Sequence, residues 1–159
     1  MLVGGVLAAA TLLFASGRPG TSFPLSGVLL VFMTAIGYDA MAVGNHEFDD
    51  GPEGLAVLAD GVQFPVVSGN LDLSQSNVLK GKVDGAITLD VGGEKIGIVS
   101  ALAMDTPETA SPGPSVIFQD DIESLKADVQ ELTDAGVEKI IALTHVGYLR
   151  DQEFAKEVP

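Results

Sequence analysis

Two short apolar runs set what this chain can become. Ala40-Met41-Ala42-Val43 leads into Gly44-Asn45-His46-Glu47-Phe48-Asp49-Asp50-Gly51, and Ile140-Ile141-Ala142-Leu143 leads into Thr144-His145-Val146-Gly147. These two polar turns hold both histidines of the chain. A buried strand that empties into a His-bearing turn is how open α/β sheets present chemistry, because ligands gather beyond the carboxyl ends of parallel strands. The expected fold class is therefore α/β (α+β), with mixed β-sheets built from parallel-type strands and one hairpin.

The remaining elements follow from periodicity and punctuation. Leu25 to Ile36 reads as a helix stopped by Gly37, with Ala40 to Val43 the first buried strand. Pro52 to Ala59 reads as a helix with Pro52 in its first turn, where a missing N–H is harmless. Phe64 to Val67 is a second buried strand, left by Ser68-Gly69-Asn70, and Leu73 to Lys82 is loop. Ala86 to Val91 and Lys95 to Ala101 flank Gly92-Gly93, a hairpin signal. Asp105 to Pro114 reads as loop. Ile122, Leu125, Val129 and Leu132 share one face of a helix over Ile122 to Ala135, stopped by Gly136. Ile140 to Leu143 is a third buried strand, and Leu149 to Val158 begins a further helix. At the N-terminus, Met1 to Ser16 is apolar but has no Lys or Arg before Arg18, so the positive region of a signal peptide is missing. Gly4 to Phe14 reads instead as a buried helix or strand, too short to span a membrane.

At 159 residues the chain suits a single domain with a core that needs no disulfide. It has no cysteine, which excludes disulfides, thiolate metal sites and Cys nucleophiles. The net charge of −14 repels phosphate backbones and argues against nucleic-acid binding. It would suit a module that binds cations or a basic protein, the one feature in favour of that reading. No P-loop, dinucleotide fingerprint, nucleophile elbow or His-Glu-x-x-His motif is present.

His46 and Asp49 stand three apart across a turn, a spacing at which the carboxylate can bond the imidazole and fix its tautomer. Asn45 offers a neutral oxygen suited to a hard divalent ion. His145, Asn70 and Asp72 are candidates of the same kind. The bland alternatives are a solvated His, a hydrogen-bonded loop His and an Asx-turn at the strand exit in Ser68-Gly69-Asn70-Leu71-Asp72.

Taken together, the stretches AIGYDAMAVGNHEFDDG, FPVVSGNLD, VGGEKIGIVSALAMDTPETASPGP and GVEKIIALTHVGYLRDQEFAKEVP closely resemble the bacterial 5′-nucleotidase branch of the calcineurin-like metallophosphoesterases, in the same order and spacing over most of residues 22–159. The resemblance implies a four-layer αββα sandwich that hydrolyses phosphate monoesters with two divalent metal ions (Zn, Mn, Co or Mg). By that resemblance Asn45 and His145 are metal ligands. His46 contacts the phosphoryl group, Asp49 orients His46, and Asn70 is a candidate substrate contact. The substrate would be a nucleotide or another phosphomonoester, and the setting periplasmic or extracellular.

The chain also departs from the pattern. The family's Asp-x-His motif is absent, and Ala15-Ser16-Gly17-Arg18 stands where a Gly-Asp motif places a metal-bridging carboxylate. The Gly-His-x-His motif and the C-terminal nucleotide-binding domain are absent too. The expectation is thus a partial sandwich, 1–159, truncated at both ends of the catalytic domain. Its exposed sheet edges would favour homo-oligomers. A catalytically inactive fragment that binds metal weakly is the alternative to an active hydrolase.

Overall fold

The computed structural model describes residues 32–158. The expectations for Gly4 to Phe14, for Arg18 and its loop, and for residues 25–31 lie outside them. Residues 32–36 are helical and the helix stops at Gly37, as expected. Its last turn closes with Tyr38 N–H donating to the Met33 carbonyl at 3.3 Å.

The first half is built on a short β-α-β unit. Strand β1 (Met41–Ala42) pairs in parallel with β2 (Val66–Val67), Met41 opposite Val66. Between them lie a 3-10 turn (Asn45–Phe48) and helix α1 (Gly51–Gly61), which carries Pro52 in its first turn. Helix α1 turns Leu55, Ala56 and Leu58 inward against Val43, Phe48, Val66, Leu79 and Leu102. Fully burying a side chain the size of Phe48 or Leu55 is worth about 2 kcal/mol, so these residues pin the turn that carries Asn45 and His46.

The second half is a three-stranded sheet. Strands β4 (Ala86–Val91) and β5 (Glu94–Val99) form an antiparallel hairpin, and β7 (Lys139–Ala142) pairs in parallel with β5. Gly92 and Gly93 sit at φ 63° and 87°, the left-handed pair that a two-residue hairpin turn requires. Helix α3 (Asp121–Asp134) and helix α4 (Tyr148–Glu157) cover one side, where Leu125, Leu132, Val137 and Phe154 pack with Val99 and Ala101. Asp120 caps α3, its side chain accepting the Glu123 N–H at 2.9 Å. The halves are stitched by backbone bonds from Ser68 N–H to the Asp84 carbonyl and from Gly69 N–H to the Ser100 carbonyl, both 2.8 Å.

The architecture is the expected mixed α/β fold with mixed sheets, but three local readings change. The segment expected as loop from Asp105 to Pro114 contains a helical turn, α2 (Thr106–Thr109), with Pro107 in its first turn. Strands β3 (Leu71–Asp72) and β6 (Ile117–Phe118) form an antiparallel pair that no periodicity announces, since each has only two residues. Strand β7, expected to be buried, lies at a sheet edge with Ile141 53% exposed. The reason is one-sided cover. Ile140 packs into the helical core, while nothing among the described residues covers Ile141. No helix among the described residues is long and apolar enough to cross a membrane.

Candidate active site

The site gathers at the ends of β1 and β7. Val43 N–H donates to the Val67 carbonyl at 3.0 Å, so β1 pairing carries on to the edge of the Gly44 turn. Phe48 is completely buried and holds the turn down. Glu47 reaches back to accept the Gly44 N–H at 2.7 Å, the N3-to-N-cap half of a capping box. A Cβ on Gly44 would stand 2.8 Å from the Glu47 carboxylate and 3.2 Å from the His145 ring, so only glycine lets this turn approach His145 as closely as it does.

His46 and Asp49 lie on the outer side of the turn. His46 Nδ1 bonds Asp49 Oδ2 at 2.9 Å, and their side chains are 76% and 55% exposed. The carboxylate therefore holds the Nδ1 proton, and Nε2 is left facing outward.

His145 is fixed mainly through its backbone. Its N–H donates to the Ala101 carbonyl and its carbonyl accepts the Ala103 N–H, both at 2.9 Å, opposite Leu102. Its ring then reaches across the fold. His145 Nε2 lies 3.1 Å from Asn45 Oδ1, a contact between residues 100 apart in sequence. The two residues expected to act as metal ligands are thus brought side by side.

Asn70 sits beneath this arrangement and is completely buried. Its Oδ1 accepts the Leu102 N–H and its Nδ2 donates to the Leu102 carbonyl, both at 2.8 Å, as a neighbouring strand would. Ser68 Oγ also donates to Oδ1, at 3.3 Å, and Met104 Sδ lies 3.6 Å from Nδ2. The amide is spent on holding the segment that pairs with His145. Asp72 makes the Asx-turn, accepting the Ser74 N–H at 2.9 Å, and this bond, helped by the Ser74 hydroxyl, holds its carboxyl below the usual range.

Two further contacts steady the His145 loop. Thr144 Oγ1 donates to Asp151 Oδ1 at 2.6 Å, tying the loop to the first turn of α4. One residue earlier in that helix, Arg150 forks onto the carboxylate of Asp121 at the start of α3, with Nε at 3.0 Å from Oδ2, and also pairs with Glu153. The Asp121 bonds, then the Glu153 bond, raise the Arg150 guanidinium further above its ordinary range.

Sequence reasoning missed Thr109, whose Oγ1 stands 3.4 Å from Asn45 Nδ2. The signal was present in Asp105-Thr106-Pro107-Glu108, where Asp precedes a Pro and an acid in what becomes a first helical turn. Among the described residues no three His, Cys, Asp or Glu side chains converge on a metal position.

No family model matches the chain. Comparison with known proteins nevertheless gives clear relatives. The 5′-nucleotidase of Diplobatis ommata is 45% identical over 130 residues, which is 80% of this chain and 22% of that protein. The crystal structure of a 5′-nucleotidase precursor from Thermus thermophilus superposes with a TM-score of 0.79 at 44% identity, over 82% of this chain and 25% of that one. A calcineurin-like phosphoesterase from Bacillus subtilis shares the fold with a TM-score of 0.63 at 24% identity, over 80% of this chain and 40% of that one. The chain spans about a quarter or less of the length of these two nucleotidases. Over the residues they share, this chain is similar to 5′-nucleotidases, and its fold is that of the calcineurin-like phosphoesterases.

Proposed function

We propose that the chain carries part of the active site of a metal-dependent phosphomonoesterase of the 5′-nucleotidase type, acting on nucleotides. The observation that carries this reading is the 3.1 Å approach of Asn45 Oδ1 to His145 Nε2. A neutral oxygen and an imidazole nitrogen at that separation fit two adjacent ligands, each about 2.1 Å from a shared divalent ion. They supply two donors, and a full shell takes at least two more.

In this reading Asn45 and His145 hold the ion, which when bound activates water and offsets phosphoryl charge. His46 presents Nε2 to a phosphoryl oxygen and stabilises the charge that develops there, and Asp49 keeps the ring oriented by holding Nδ1. Asn70 acts from below, by fixing Leu102 and through it the backbone that pairs with His145. A periplasmic or extracellular setting goes with the nucleotidase reading. We further propose self-association through the edge of β7, which is uncovered among the described residues. Ile141→Lys should then lower the mass measured by light scattering, and an unchanged mass counts against it.

The test is phosphate release from AMP and from p-nitrophenyl phosphate with Mn²⁺, Co²⁺, Zn²⁺ or Mg²⁺, run beside His46→Ala and beside thermal melts with the same ions. Turnover that His46→Ala abolishes, with a melting point raised by metal, supports the reading. Neither shift nor turnover would favour the alternative of an inactive relative of the nucleotidases.

A further inference from the structure

We propose that Thr109 is a positioning residue that fixes which end of the Asn45 carboxamide faces His145. The inference rests on the reading that Asn45 and His145 share a divalent cation, and adds what makes Asn45 fit for it.

A carboxamide has a donor end and an acceptor end of nearly the same shape, and only the oxygen can bind a cation. Something must decide which end points at His145. The neighbour on the other side of Asn45 is Thr109, with Oγ1 3.4 Å from Nδ2. A hydroxyl has one proton, and two backbone carbonyls stand near it, Asp105 at 3.3 Å and Thr106 at 3.4 Å. A proton directed at either leaves lone pairs to accept from Asn45. The NH2 end of Asn45 is drawn toward Thr109, and Oδ1 is turned to His145. With the amide reversed, the Thr109 proton would have to leave its backbone acceptors to meet the amide oxygen, and an NH2 group would block the position of the cation.

The arrangement is tied together by one short segment. Ala103 N–H donates to the His145 carbonyl, and the Ala103 carbonyl accepts the Thr106 hydroxyl at 2.7 Å, in the first turn of the helix that ends at Thr109. The same residues that hold the His145 backbone thus place the hydroxyl that polarises Asn45. Partners of this kind, one shell out from a ligand, typically change metal affinity by about 10- to 100-fold.

The test compares the parent chain with Thr109→Val, which keeps the shape and loses the acceptor, and with Thr109→Ser, which keeps the acceptor. Thr109 is exposed, so the variants should fold, and circular dichroism melts check that. Mn²⁺ binding is followed by the electron paramagnetic resonance signal of the free ion. Thr109→Val should weaken binding about tenfold, Thr109→Ser should restore it, and Thr109→Val should add nothing in an Asn45→Ala background. Parent-like binding by Thr109→Val, with binding lost in Asn45→Ala, would overturn the proposal and leave the metal reading intact. A parent chain that binds no Mn²⁺ would overturn the metal reading, and a metal-free measurement then decides the role of Thr109. Nuclear Overhauser contacts from the Asn45 amide protons to the Thr109 methyl support the assignment. Contacts from those protons to the His145 ring proton on Cε1 overturn it.

Discussion

At the scale of single residues, the site separates side chains that face solvent from side chains that hold the frame. His46 and Asp49 are largely exposed, so their loss should cost function more than fold. On the proposed nucleotidase reading, Asp49→Asn should leave the melting temperature unchanged and lower kcat about 10- to 100-fold, because a neutral amide no longer holds the imidazole in one tautomer. Steady-state hydrolysis of AMP beside a melting curve checks both halves of that statement. Asn70 is the opposite case. Asn70→Ala strips both partners from the Leu102 backbone inside the core, which should cost about 2–3 kcal/mol in a denaturant titration. The i, i+3 spacing of His46 and Asp49 was readable in the sequence because it is local. The role of Asn70 was not, because its partner lies 32 residues away. The sequence pointed to a substrate contact or an Asx-turn, and the Asx-turn of that loop belongs to Asp72 instead.

At the scale of elements, the His145 loop depends on how α4 is docked. Arg150 joins α4 to the start of α3 through Asp121, whose side chain is only 3% exposed. Arg150→Ala leaves that carboxylate with little beyond the Ile122 N–H, at 2.9 Å. The loss should be about 2 kcal/mol, since Arg150 itself is partly solvated. Hydrogen exchange should then speed up in α4 and in residues 143–147 before the β4–β5 hairpin responds. Equal acceleration throughout would argue against a local docking role. The hairpin and α3 were legible as elements because Gly92-Gly93 and the apolar stripe are short-range signals. The β3–β6 pair and α2 were hidden because two-residue strands and a four-residue helix carry no period.

At the scale of the whole molecule, pH and stability are linked through Asp128 on α3. Burial, with the Glu131 carboxylate nearby, pushes the Asp128 carboxyl up to about 6 from its ordinary 3.8. Its Oδ2 is buried with no hydrogen-bond partner among the described residues and lies against Gly69, where the two halves of the fold meet. A raised carboxyl means the folded state binds the proton more tightly than the unfolded one. This group therefore costs nothing below about pH 4, and its penalty grows as pH rises to about 6 and stays in place above that. Asp128→Asn should stabilise the chain at pH 7.5, by about 1 kcal/mol once solvent screening is included, and make no difference at the lowest pH that keeps the protein folded. Melting curves of both proteins across that range check the sign, and a gain at low pH would refute it.

By itself the sequence determined what is written over a few residues: strand-to-turn units ending in histidine, the hairpin, the stop signals of the helices, and the His46–Asp49 pair. Its longer stretches also carried the likeness to the nucleotidases. Only the tertiary structure decided that Asn45 meets His145 across 100 positions, that Asn70 faces the core, that Thr109 stands behind Asn45, and that Ile141 on β7 is exposed among the described residues. Those outcomes depend on how separate segments register and pack against each other. Registry between distant segments is set by the closure of the whole core, and no local spacing encodes it.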